Sequence, residues 1–190
     1  MGRPLPFLLA SRWLAAGPLV AVAAVAGLAG PAGAESPHQH GAARLEVVVD
    51  GGTLTVTLDS PLDNLLPFER APRNTDERAA VQAMAQRLHG AAALLQPAPA
   101  AGCTLRTVAL QSDVLDPALL AKAPAPQAAA APKPAPAGAH ADLEAGFVFD
   151  CRTPAALKSL ALGGLLQAFP KLRQLDVAVA APGVQRGFKA

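Results

Sequence analysis

From Arg44 onward, large apolar residues fall on every second position: Leu45, Val47 and Val49, then, after Gly51-Gly52, Leu54, Val56 and Leu58. A period of two is the signature of a strand, and two such runs joined by a glycine pair predict a hairpin with a two-residue loop. Setting Asp50 opposite Thr53 brings Val49 against Leu54, Val47 against Val56 and Leu45 against Leu58. All three pairs share one face. Glu46 with Thr57 and Val48 with Thr55 share the other, so one side of the hairpin is expected to be buried and the other wetter.

The period changes after Pro61. Leu62 to Pro72 reads as an irregular connection that returns Leu65, Leu66 and Phe68 to the core. Asn74 followed three residues later by Glu77 resembles a capping box, and Val81, Met84 and Leu88 recur at helical spacing until Gly90, which predicts one amphipathic helix. Thr104–Leu110 and the alternating Leu143, Ala145, Phe147, Phe149 and Cys151 predict two further strands. Pairing them antiparallel with Cys103 beside Cys151 sets Leu105 against Phe149 and Thr107 against Phe147. Thr153-Pro154 marks a helix start, with Ala155–Leu160 and Leu165–Phe169 as short helical pieces interrupted by Gly163-Gly164. Leu172–Ala181, alternating through Leu175, Val177 and Val179, predicts a last strand. The expected fold class is α+β: a single small domain, mostly antiparallel sheet, with one main amphipathic helix, short C-terminal helices and one disulfide.

The N-terminus changes the setting. Arg3 and Arg12 precede an uncharged apolar run from Trp13 to Leu28, and Ala32-Gly33-Ala34 supplies a small-x-small cleavage site. Residues 1–34 therefore predict a cleavable export signal, its apolar run of about 16 residues being short and Ala/Gly-rich for a permanent membrane anchor. Cleavage removes two cations from a formal net charge of +2, together with the only Trp of a chain that has no Tyr. What remains lacks the basic face and stacking aromatics of a nucleic-acid partner, and no second membrane-length apolar run follows. Residues 35–43 form an expected flexible, His-containing N-terminus and 44–190 the domain. In an oxidising compartment Cys103 and Cys151, far from C-x-x-C spacing, are expected to form a structural disulfide rather than a metal or redox pair. Between Ala121 and Ala139, 10 residues are Ala and 5 are Pro, too little large apolar surface for a core and too much proline for a helix. An insertion at about 116–139 is therefore expected to be disordered.

No G-x-S-x-G, H-E-x-x-H, P-loop or G-x-G-x-x-G is present, so the chain is not expected to be an enzyme. The histidines carry what chemistry there is. His38-Gln39-His40-Gly41 sets two imidazoles at i and i+2, and His140 with Asp142 repeats that spacing on one strand face with Glu144. Neutral imidazole nitrogen with carboxylate oxygen suits Zn²⁺. His89, ending the predicted helix, is expected to interact with the helix dipole instead.

Taken in order, His38-Gln39-His40-Gly41 before a strand, Asp63-Asn64-Leu65-Leu66-Pro67-Phe68-Glu69 before a helix, Ala101-Gly102-Cys103, and His140-Ala141-Asp142-Leu143 running to Phe149-Asp150-Cys151 resemble the proteobacterial periplasmic proteins of the zinc-regulated ZrgA type. The resemblance implies a periplasmic protein that captures Zn²⁺ and assists an ABC-type zinc importer, with that importer or its binding protein as partner. His38, His40 and His140 are the matching ligand candidates, with Asp142 beside them. Two features depart from the family pattern: the loop between the cysteines is Ala and Pro where His and acidic residues are common, and Arg70 stands where a His is expected in many relatives. The competing class is an envelope interaction or structural domain without metal, its Ala/Pro-rich insertion serving as a flexible arm.

Overall fold

The alternating runs around Gly51-Gly52 fold as the hairpin their pattern requires. In a computed structural model that describes residues 40–122 and 141–190, β1 (Ala42–Asp50) and β2 (Thr53–Pro61) pair antiparallel with Val49 against Leu54, Val47 against Val56 and Leu45 against Leu58. The expected export signal at 1–34, His38, His140 and most of the Ala/Pro-rich stretch lie outside the described residues.

Beyond the hairpin come α1 (Thr75–His89), α2 (Ala91–Leu94), β3 (Gln96–Pro97), β4 (Cys103–Gln111), α3 (Pro117–Leu120), β5 (Asp142–Cys151), β6 (Leu160–Ala161), α4 (Gly163–Ala168), β7 (Gln174–Ala181) and β8 (Val184–Lys189). Six strands form one sheet in the order β4-β5-β2-β1-β7-β8, and β3 with β6 forms a second, two-stranded one. Every neighbouring pair in the large sheet is antiparallel except β1 with β7, which is parallel. The described residues belong to one compact unit, Pro37–Ala190. The fold is α+β as expected, and no helix among the described residues is long and apolar enough to cross a membrane.

One face of the sheet is the core. Leu45, Leu54, Val56, Leu58, Leu143, Phe147, Phe149 and Leu175 are almost fully buried, and Val81, Met84, Ala85 and Leu88 of α1 join them in one cluster. Burying a side chain of this size is worth about 1.5–3 kcal/mol, so this single face carries most of the driving force. Cys103 and Cys151 are bonded and sit opposite each other on β4 and β5. The register follows expectation at Leu105 with Phe149, then shifts: Thr107 lies opposite Val148 and Val108 opposite Phe147. Arg106 is the extra residue, and its guanidinium reaches Asp150 at 3.3 Å. A bulge on an edge strand leaves one residue unpaired and sends it outward, which is why simple alternation misplaced Thr107.

Three further departures have local causes. Ala155–Leu160 is not helical: Pro154–Ala156 makes one 3-10 turn, and the chain then extends into β6 against β3, because the peptide groups of this segment pair with Gln96–Pro97 instead of with one another. Gly163-Gly164 does not interrupt a helix but opens α4, and Gly164 is required there because a Cβ would collide with the Ala93 carbonyl of α2. Strand β8 has no alternating burial, all six of its residues being exposed, and so leaves no amphipathic pattern to read. Of the expected insertion, the first residues are ordered: Asp116 caps α3 through Ala118 N–H at 2.9 Å, and Leu119 and Leu120 are buried.

Candidate metal centre

The polar residues of the Leu62–Pro72 connection fix the entry of β1. Leu62–Asn64 forms one 3-10 turn, and Asn64 is 2 % exposed. Its Oδ1 accepts the Gly41 N–H at 2.7 Å, while its Nδ2 donates to the Ala42 carbonyl at 2.8 Å and to Ser60 Oγ at 3.2 Å. A buried amide so fully paired is a rigid clamp, since each bond lost would strand a polar group away from water. Gly41 is held from the other side as well: its carbonyl accepts the amides of Arg173 and Gln174 at 2.8 and 3.0 Å. With φ at +82°, a conformation that residues with a Cβ rarely adopt, this position favours glycine, and a Cβ would also press on the Arg173 guanidinium 3.0 Å away. His40 is thereby delivered beside Asp63.

His40 Nδ1 lies 2.7 Å from Asp63 Oδ2, and its Nε2 lies 3.7 Å from Glu69 Oε1. His40, Asp63 and Glu69 form the one group of at least three potential metal donors among the described residues, one donor atom from each lying within 4.8 Å of the others. Asp63 is mostly buried, and its Oδ1 has no hydrogen-bond partner among the described residues. An orphaned, buried carboxylate oxygen costs about 1–3 kcal/mol, so this corner is chemically suited to a cation. His40 and Glu69 are the exposed members, at 67 % and 40 %.

Glu69 is set by its neighbours. Phe68 packs against the core, and the Arg70 guanidinium sits 5.2 Å over its ring. Arg70 also makes a bidentate pair with Glu77, 2.7 Å on each arm, and donates to the Ala71 carbonyl at 3.1 Å. The expected capping box is half realised. Asn74 Oδ1 accepts the Glu77 N–H at 2.8 Å, but the Glu77 carboxylate turns to Arg70 and to the Arg73 N–H at 2.6 Å instead of the Asn74 amide. Hydrogen bonds from the Arg70 side chain and then from the Arg73 amide hold the Glu77 carboxyl down at about 2. Arg70, read from sequence as a lost ligand, is thus the tie that pins the Glu69 segment to α1.

With this geometry in view, the sequence model of the family described as "ZrgA family zinc uptake protein" matches residues 37–190. The chain belongs to the ZrgA family. No curated protein matches it. The family description names zinc uptake and no reaction, and a donor set of one imidazole and two carboxylates agrees with a ZrgA protein's cargo.

Of the four ligands read from the ZrgA sequence, His40 is in the donor group, His38 and His140 lie outside the described residues, and Asp142 stands at the first position of β5 opposite Pro61, outside the group. Asp63 and Glu69 were not named as ligands. Their signal in the sequence is two carboxylates flanking Asn-Leu-Leu-Pro-Phe, in a connection too apolar to be a solvated loop. His89 is not left to the helix dipole alone; its Nε2 sits 2.8 Å from the Leu120 carbonyl and ties the end of α1 to α3.

Proposed function

We propose that this ZrgA protein works in the periplasm, where it captures Zn²⁺ at His40 and Glu69 and passes it to an ABC-type zinc importer or that importer's binding protein. The observation that carries the reading is the approach of His40, Glu69 and Asp63 to one another at the entry of β1. Bonds of about 2.1 Å put neighbouring donors about 3.4 Å apart around a tetrahedral Zn²⁺, close to the 3.7 Å between His40 Nε2 and Glu69 Oε1. The 2.7 Å between Nδ1 and Asp63 is a hydrogen-bond distance instead. Asp63 therefore acts as the carboxylate that accepts Nδ1–H, fixes the tautomer and aims Nε2 at the metal.

Chain continuity supports His38 and His140 as further donors. His38 is two residues from His40. His140 precedes Ala141 in the sequence, and the Ala141 carbonyl accepts the Leu62 N–H at 2.8 Å beside Asp63. Asp142, outside that group, follows on the same segment and is a further candidate. Donors on exposed segments favour fast release, which suits handing metal on. Titration of Zn²⁺ into the purified protein by calorimetry tests this. A saturable heat is expected, abolished in His40→Ala and Glu69→Gln and weakened about 10–100-fold in Asp63→Asn. No saturable heat, or a heat that all three variants retain, overturns it. Export is tested separately by sequencing the N-terminus of protein recovered from the periplasm, where Glu35 is the expected first residue.

A further inference from the structure

The far end of the sheet carries a second surface that zinc capture does not use. On the core face of β1, β7 and β8, beyond the reach of α1, the chain leaves an open groove of about 760 Å³, roofed by residues 154–162 and floored by Val47, Val49, Val177 and Val179. Val184 and Phe188 of β8 form its outer wall, and they are two of the three large apolar residues exposed among the described residues, at 42 % and 52 %. Among the described residues its lining includes Lys158 and no carboxylate.

Among the described residues strand β8 is the sheet's edge, and the pattern of its hydrogen bonds follows from its neighbour. Leu175 and Ala190 exchange both backbone bonds at 2.9 Å, and in an antiparallel ladder such pairs recur at every second residue. Val184, Arg186 and Phe188 therefore spend their backbone groups on β7. Gln185, Gly187 and Lys189 turn theirs outward. Arg186 lies opposite Val179 and so on the groove face, between Val184 and Phe188. Neither Arg186 nor Lys158 has an ion pair among the described residues, whereas Lys189, on the other face, is answered by Asp176 at 3.6 Å.

We propose that β8 and its groove receive an extended segment of a partner protein, added antiparallel to the edge and reading apolar, any, acidic, any, apolar. The outward groups of Gln185, Gly187 and Lys189 supply the ladder, and side-chain alternation supplies selectivity. The acidic residue falls opposite Arg186, at a position without mutual backbone bonds, where side chains across a ladder come closest. The two apolar residues fall opposite Val184 and Phe188 and extend the groove wall. Charge argues against a second copy as occupant: in the register that sets Val184 against Phe188 and so joins the two apolar patches, Arg186 faces Arg186, and like charges directly opposite destabilise.

The test uses the purified protein and a synthetic peptide containing isoleucine-threonine-glutamate-threonine-valine, with a matched peptide carrying lysine in place of glutamate, followed by fluorescence anisotropy. The glutamate peptide is expected to bind well below about 1 mM and the lysine peptide at least about tenfold more weakly. Arg186→Glu should exchange the two preferences. Gly187→Pro removes an outward N–H and no bond to β7, and should weaken the glutamate peptide by at least about tenfold; the charge exchange decides the question independently if that variant folds poorly. Absence of binding at about 1 mM, or equal binding of both peptides, overturns the proposal. So does a dimer in sedimentation that Gly187→Pro dissolves, or saturable dodecanoate binding that displaces the peptide and is unaffected by Gly187→Pro.

Discussion

The two ends of the six-stranded sheet are built in opposite ways. Where β1 enters and β2 leaves, a buried amide, a glycine with positive φ and a 3-10 turn hold one imidazole and two carboxylates near one another. Where β1 turns into β2 and β7 into β8, the same core face runs out from under its helix and stays open, apolar and rimmed by cations. At the first end, position is fixed by hydrogen bonds that are costly to leave unmade. At the second, the backbone is fixed by the disulfide and by the Cys151 N–H donated to the Gly52 carbonyl at 2.7 Å, while Val49 and Val179 are only half-buried and Val184 and Phe188 are exposed. Precise placement of donors needs buried polar pairing; a surface meant to be covered needs only a firm frame.

The comparison is broken most forcefully by cutting the frame. Replacing both Cys103 and Cys151 with alanine opens a loop of 47 intervening residues and is expected to cost about 4 kcal/mol in denaturant unfolding. Zinc affinity measured below the unfolding transition should stay within about threefold, because the donors belong to the other end. A matching loss of zinc affinity would show that the ends are not independent. Asn64→Ala comes next. It leaves the Gly41 N–H and the Ala42 carbonyl without their partner, for an expected loss of about 3 kcal/mol, and it should weaken zinc binding by more than about tenfold. Unchanged zinc affinity in a folded Asn64→Ala protein would refute the view that this clamp positions His40.

Sequence made some of this legible and hid the rest for definite reasons. The hairpin register was readable because a one-residue slip would bury Glu46 and Thr57, and the structure keeps that register. The cysteine pairing was readable from two flanking strand patterns. The shift at Arg106 was not, because a bulge leaves no mark in alternation. Nor was the parallel contact of β1 with β7 or the exposed β8, which depend on where the chain returns after α4 rather than on any local period. At the site, His40 was legible as chemistry, but Asp63 and Glu69 acquire meaning only once Asn64 folds their segment back on Gly41. Arg70 was read against a ligand position, whereas its bidentate pairing with Glu77 has no sequence spacing that announces it.

That pairing gives a smaller effect with a definite sign. The Glu77 carboxyl, depressed to about 2 chiefly by the Arg70 hydrogen bonds, contributes stability that is fully present above the ordinary carboxylate range and is lost as pH falls through about 2. In Arg70→Ala the midpoint of that loss should move up toward the ordinary value of 4.5, read from the Glu77 side-chain carboxyl signal in an NMR titration. The same variant should bind zinc several-fold more weakly by freeing Glu69. An unmoved Glu77 titration would show that the Arg73 amide alone holds the carboxyl.

The smallest effect belongs to Phe188. At 52 % exposure on an edge strand, the ring has only about half its surface to lose, so Phe188→Ser should change stability by no more than about 1 kcal/mol and leave the zinc heat untouched. Its consequence is expected only in the peptide titration, where the outermost apolar contact disappears and affinity should fall about tenfold. The contrast with Asn64 is the physical point: a small polar side chain buried among polar partners holds the fold at one end, and a large apolar one half in water at the other contributes little until something covers it. A destabilisation above about 2 kcal/mol in thermal melts of Phe188→Ser would mean that the ring already packs within the folded chain, and the groove would then be part of the core.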